Sequence, residues 1–315
     1  DGADPETGLI NALNSPSADG EEMEEELTGS LSSFTPPSNG QSNTPQEIVK
    51  QVGDPAPAPL DHVHHLLEQI PDALRQAAHE PMGAQALILG LLLTSQDDQR
   101  ERQKTRIAEL ADSGANQVLH THEESIASLD PQARLPLIDM AIPTLRTLSH
   151  EQYDQFKTTV LHILPEKDQG AMFGWTVRHL LLRHLEPHFY GERAPRVRNV
   201  SLKDVQAHCE ALLSTLAHQG HANALDARSS FNQAKDALQM PELQLRDWDR
   251  CTLTVLDIAL ANLAQVTQAE KRILLQGCAA CVMADQQATV EEIELLRAIS
   301  DGLGCPMPPI LVPAH

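Results

Sequence analysis

The sequence predicts an all-α protein: a multi-helix array that closes in a duplicated helical unit and follows a disordered acidic linker. Three observations predict this. Aromatic residues make up only 3% of the 315 residues, so the core must be built mainly of Leu, Ala, Ile and Val. That composition suits helices packed on helices better than a sheet, which draws on Val, Thr and aromatics. From Leu60 onward, apolar residues recur three and four apart, the spacing that places them on one helical face. Ser149, Thr267 and Thr289 are each followed three residues later by Gln or Glu, the capping box of a helix start.

Residues 1–57 contain one aromatic (Phe34), one basic residue (Lys50) and the acidic run Glu21-Glu22-Met23-Glu24-Glu25-Glu26. Ser, Pro, Gly and Asn fill 30–45, and Asp54-Pro55-Ala56-Pro57-Ala58-Pro59 closes the stretch as a stiff spacer. Such a segment buries too little apolar surface to offset an ordering entropy of roughly 1–2 kcal/mol per residue, so it reads as a disordered linker with one short helix at 44–51.

Residues 58–140 then read as a helical array. Leu60, Val63, Leu66, Leu67 and Ile70 keep helical spacing, and Pro71 ends that helix and opens the next at 72–79. Residues 84–94 are apolar nearly all round and predict a central buried helix. A charged helix follows at 96–111 with Ile107 and Leu110 inward, Gly114 breaks it, and 116–128 continues.

Residues 141–312 form the second helical region. Its first part is shared with the run 134–148, where Leu135, Leu137, Ile138, Ile142 and Leu145 are core candidates. Ser149 caps a helix through Phe156, Val160 and Ile163, and a polar loop at 166–170 leads into a helix at 172–185. A basic, Pro-containing loop at 190–199 precedes a capped helix at 201–218 and a weaker one up to 239. One long helix is expected at 245–264. Thr267 caps the next, with Ile273, Leu274, Cys278, Cys281 and Val282 inward, and Thr289 caps the last, which Gly304 and Pro306 terminate. Sliding 148–181 onto 266–299 superposes Ser149 on Thr267, Phe156 on Leu274, Val160 on Cys278 and Trp175 on Ile293. This suggests two related helix-loop-helix copies at about 148–185 and 266–303.

A formal net charge of -21 argues against nucleic acid as a partner, because a phosphate backbone would be repelled over most of the surface. Five cysteines, an odd number, do not read as a disulfide framework. The longest apolar run, 86–93, is too short for a bilayer, which needs roughly 20 residues. A chain beginning at Asp1 without Met reads as a fragment, soluble itself, with any membrane anchor outside it.

Fifteen histidines call for a search for metal sites. A zinc-protease helix needs two imidazoles one turn apart with a Glu after the first. His79-Glu80-Pro81-Met82-Gly83 and His150-Glu151-Gln152-Tyr153-Asp154 lack the second His, and His184-Leu185-Glu186-Pro187-His188 lacks the Glu. His62, His64 and His65, the pair His120/His122 and the pair His218/His221 read as solvated histidines at helix ends. Cys278-Ala279-Ala280-Cys281 has the spacing of a redox or zinc pair, but it falls inside a helix on the apolar stripe rather than at a helix N-terminus, so both thiols are expected in the core. Asp285, Glu291 and Glu292 form an acidic step, yet the Gly and further oxygen ligands of a calcium loop are missing and Glu292 is used in a capping box. Phosphate-binding, nucleophile-elbow and dinucleotide motifs are absent as well. No catalytic, cofactor-binding or metal-ligating residue is assigned.

Several stretches carry a family resemblance: Val52-Gly53-Asp54-Pro55; His64-His65-Leu66-Leu67-Glu68-Gln69-Ile70-Pro71-Asp72-Ala73-Leu74; the helix at 86–93; Leu129-Asp130-Pro131-Gln132-Ala133-Arg134-Leu135-Pro136-Leu137; Leu180-Leu181-Leu182-Arg183-His184-Leu185; and Glu294-Leu295-Leu296-Arg297-Ala298 with Cys305-Pro306-Met307-Pro308-Pro309. Across roughly residues 50–312 the chain resembles the C-terminal cytosolic extension of bacterial membrane zinc metallopeptidases of the HtpX-like class, Zn-dependent proteases with chaperone function. The two helix-loop-helix copies look like the TerB-type helical fold of tellurite resistance. Asp285-Gln286 stands where an Asp-Gly step would be expected, which counts against a TerB-type metal role. The resemblance implies a non-catalytic regulatory or substrate-handling region, with zinc and the protease domain upstream. The partners it implies are that protease domain and protein substrates, and the place is the cytoplasmic side of the inner membrane. A stand-alone helical interaction module and a TerB-like metal or stress sensor are the alternatives.

Overall fold

The computed structural model describes residues 67–164, 171–191, 200–221, 223–285, 288–305 and 307, all within one compact unit. These residues are helical and contain no strand. None of the described helices is long and apolar enough to cross a membrane.

In chain order the helices are α1 (Asp72–Ala78), α2 (Pro81–Leu91), α3 (Asp97–Leu110), α4 (Ser113–Ala127), α5 (Arg134–Leu145), α6 (His150–Ile163), α7 (Ala171–Tyr190), α8 (Gln206–Gly220), α9 (Ala224–Leu238), α10 (Leu253–Leu263), α11 (Gln268–Val282) and α12 (Val290–Gly302). Three 3-10 turns, Pro131–Ala133, Leu202–Val205 and Trp248–Arg250, lead into α5, α8 and α10.

Two helices anchor the array. In the first half α2 is buried from Gly83 to Leu91 because α1, α4 and α5 pack around it; a helix apolar on every side has no face to offer solvent. In the second half α8 is buried from Ala211 to Ala217 and packs against α9, α10, α11 and α12. The twenty-residue helix α7 joins the halves, lying against α12 and also touching α5 and α6. One continuous apolar cluster runs from Ile70 to Met307. An ion pair between Arg297 on α12 and Asp139 on α5, 158 residues apart, ties the halves at the surface.

The expected start signals operate. Ser149 and Thr289 form complete capping boxes with Gln152 and Glu292, and Thr267 accepts from the Glu270 amide. At the other end of α12 the amides of Leu303, Gly304 and Cys305 return to the carbonyls of Ile299, Asp301 and Ser300. Gly304 (φ 74°) takes the left-handed conformation this reversal requires.

Several expected boundaries are corrected. The segment 245–264 is not one helix. The Arg246 amide is tied to Ser214 Oγ at 2.9 Å, a 3-10 turn follows, and Thr252 accepts from the Val255 amide to start α10. The helix expected at 201–218 opens as a 3-10 turn held by the Ser201–Asp204 box, and α8 proper begins at Gln206. Gly114 is not the break: Asp112 Oδ1 accepts from the Gly114 and Ala115 amides, so Gly114 lies in the first turn of α4. Nor does Pro187 end its helix; α7 continues through it to Tyr190. Pro187 offers no N–H to the Arg183 carbonyl, while Arg146 donates to the neighbouring His184 carbonyl at 3.2 Å and holds the bend. Ile273 does not point inward: it is 38% exposed, and Lys271 occupies the buried stripe instead. The linker at 1–57, most of the first helix at 60–70, the loop at 166–170 and most of the loop at 190–199 lie outside the described residues.

Candidate functional site

The largest concavity among the described pockets is a cleft of about 620 Å³ between α6, α7, α10 and the end of α12. α7 supplies one wall through a single face: His179, Leu182, Arg183, Glu186 and Tyr190 follow one another at three and four residues. α10 supplies the other through Asp257, Leu260, Ala261 and then Ala264, again at helical spacing. Lys157 enters from α6, and Gly302 closes the end near α12.

Most of the polar groups are matched. Asp257 Oδ1 accepts from the Trp175 indole N–H at 2.7 Å, and both carboxylate oxygens accept from Arg178, at 2.7 and 2.6 Å. That contact fixes α7 to α10. Lys157 pairs with Glu186 and lies over the Tyr190 ring, while the Tyr190 hydroxyl donates to Asp154.

The His179 ring stacks on Trp175 with centroids 4.9 Å apart, and its Nε2 is buried without a hydrogen-bond partner. Burial pushes its pKa down to about 4, with Asp301 and Asp257 opposing, so the imidazole is neutral at pH 7. Gly302 makes this packing possible, since a methyl group there would fall 2.5 Å from His179 Nε2 and 2.6 Å from Leu260 Cδ2. One turn along α7, His184 Nε2 lies 3.2 Å from Asp301 Oδ2. Burial works to raise the Asp301 carboxyl, and His184 outweighs it, holding the group below the usual carboxylate range.

Arg183 differs from its neighbours. It lines the cleft and is exposed, and its guanidinium makes no hydrogen bond or ion pair. Next to it, Lys271 of α11 is 4% exposed and its ammonium is likewise without a hydrogen bond or ion pair. Burial first, and then the neighbouring Arg183, lower its pKa, with Cys305 opposing. The cleft wall contains no Ser, Thr or Cys. What its groups offer is recognition of charge and apolar surface.

The residues weighed in the sequence fall elsewhere. Cys278 and Cys281 are 0% and 1% exposed in the α9–α11–α8 interior. Burial raises both thiols, Cys281 to about 12 and Cys278 well above its ordinary value. The Ser230 hydroxyl donates to the Cys281 carbonyl at 2.6 Å and lies 3.1 Å from its sulfur. His120 and His122 sit on the outer part of α4. His218 is not simply solvated: it is half-buried, with Nε2 2.7 Å from the Arg246 carbonyl. His221 Nε2 is buried and unpartnered. Asp285, Glu291 and Glu292 do not converge. Glu292 is 3% exposed and binds the Thr289 amide and hydroxyl, and no group of three potential metal ligands occurs among the described residues. His62, His64 and His65 lie outside them.

Arg183 and Lys271 were not singled out by sequence reasoning. The available signal was spacing: Lys271, Leu274 and Cys278 share one helical face, so a lysine sits on an apolar stripe. No known protein family, curated protein or solved structure matches the chain.

Proposed function

We propose that this chain is a non-catalytic helical region that holds polypeptide for, or regulates, a membrane-bound zinc metalloendopeptidase acting in protein quality control on the cytoplasmic side of a bacterial inner membrane. The resemblance over residues 50–312 motivates the reading, and the cleft between α7 and α10 is the observation that carries it. Leu182, Leu260, Ala261 and Ala264 give it an apolar floor. Tyr190 stands 49% exposed at its rim, and Leu161 and Ile258 are 43% and 52% exposed on the helices that border it. A concave apolar floor with a polar rim is the usual form of a site that takes a peptide or small ligand. The zinc and its ligands belong to the proposed upstream domain.

The test is made in the proposed parent enzyme. Ala261→Arg fills the cleft from an exposed helix and should lower cleavage of an unfolded protein substrate by about tenfold, leaving cleavage of a short peptide within about twofold, since only remote binding is lost. Unchanged cleavage of both substrates overturns the proposal.

A further inference from the structure

The charges around the cleft are unevenly matched. Asp257 is held by Arg178 and Trp175, and Glu186 by Lys157. Arg183 and Lys271 remain, two neighbouring cations with no ion pair, in a chain of net charge -21. Lys271 is more than nine-tenths buried, where an unmatched ammonium is costly.

One structural role for them is filled otherwise. Cations near a helix C-terminus can satisfy its last carbonyls, but in α12 the Ile299, Ser300 and Asp301 carbonyls already accept from Leu303, Cys305 and Gly304. Asp301, the nearest acid facing Arg183, is matched by His184. A methyl on Gly304 would lie only 3.4 Å from Arg183 Nη2, so the guanidinium reaches toward the α12 terminus at one end of the cleft.

We propose that Arg183 and Lys271 form a carboxylate subsite, which takes the free C-terminal carboxylate of a polypeptide whose last apolar side chains lie over Leu182, Leu260 and Ala261. This rests on reading the cleft as a polypeptide-holding site. The planar guanidinium fork matches a carboxylate with two parallel hydrogen bonds, and the ammonium adds a second positive charge without a competing acid. A terminal carboxylate next to apolar side chains presents charge and apolar surface in the same order as the wall, Arg183 and then Leu182. The cleft volume, about 620 Å³, falls within the range of roughly 300–1,000 Å³ that holds a compact ligand, which fits a peptide end better than a folded partner.

The probes are the tetrapeptide acetyl-Leu-Ala-Leu-Ala with a free carboxylate and the same peptide as its C-terminal amide. Each is titrated into the full 315-residue chain by calorimetry and amide NMR. The acid should bind at least about tenfold more tightly than the amide and perturb amides at 182–186 and 260–264. Arg183→Gln, at an exposed and unpaired position, should leave the thermal midpoint in place and abolish the preference for the acid. Lys271→Met should weaken acid binding in the same direction; if it fails to fold, Arg183→Gln alone decides. Equal binding of acid and amide in the cleft, or an unchanged preference in Arg183→Gln, overturns the carboxylate subsite and leaves the polypeptide-holding reading standing. Absence of binding by either peptide overturns both. Displacement of the acid peptide by inorganic phosphate at lower concentration than by acetate assigns the cations to phosphate and also overturns the proposal.

Discussion

Glu294 on α12 is 6% exposed, and one carboxyl oxygen has no hydrogen-bond partner. Burial raises its pKa to about 8, with Arg134 and Arg297 too weakly placed to reverse it. The folded chain therefore keeps a proton that the unfolded chain releases near pH 4.5, and stability declines as pH rises from about 4.5 to 8. Glu294→Gln should be more stable than the parent chain at pH 8 by about 1–2 kcal/mol, an advantage that disappears at pH 4, as measured by urea midpoints at the two pH values. His179 titrates with the opposite sense. Its depressed folded pKa means that stability is lost as pH falls from 6.5 toward 4, because only the unfolded chain takes up the proton in that window. The thiols offer a second residue-scale test. Cys278 and Cys281 should resist a thiol reagent in the folded protein, while the partly exposed Cys305 reacts first. Rapid modification of all five in the native state would contradict the buried placement.

At the scale of single elements, the junction of α7, α10 and α12 is the most exacting. Gly302→Ala should destabilise by about 1–3 kcal/mol, because the added methyl meets both the His179 ring and Leu260 and neither can retreat without unpacking; thermal denaturation measures this. Asp257→Ala leaves the buried Trp175 indole and Arg178 without their acceptor, at a cost of about 1–3 kcal/mol. A double-mutant cycle with Arg178→Ala should recover part of that cost, since the Asp257 carboxylate is partly exposed and its ion pair is screened. These elements were legible in the sequence to different degrees. Helices announced by a cap and a 3.6-residue stripe, such as α6, α11 and α12, could be read directly, because Ser149, Thr267 and Thr289 act locally. The start of α10 could not, because the Ser214 hydroxyl that ties down Arg246 comes from another helix. The cleft was hidden for the same reason. Asp257 and Trp175 are 82 residues apart, and nothing local to either shows that they meet. Lys271 was misjudged because Ile273 is the more apolar residue, yet the face set by Leu274 and Cys278 passes through position 271.

For the whole molecule, the single apolar cluster from Ile70 to Met307 makes the two anchoring helices interdependent. Heat should unfold the described array in one transition, with the fluorescence of buried Trp175, isolated in a Trp248→Phe variant, coinciding with far-UV circular dichroism. Two separated transitions would show that the α2 and α8 halves are independent bodies. The pairing of α12 with α7 also sets a timetable for synthesis. The apolar face of α7 leaves the ribosome long before α12 exists to cover it, and the Asp139–Arg297 pair closes across 158 residues. During that interval the growing chain displays Trp175 and its neighbours to whatever is nearby, which is the condition under which chaperones bind and aggregates nucleate. A ribosome stalled before residue 290 would thus hold a chain marked by an uncovered helix, and any machinery that recognises uncovered apolar helices would be able to tell a complete copy from an interrupted one.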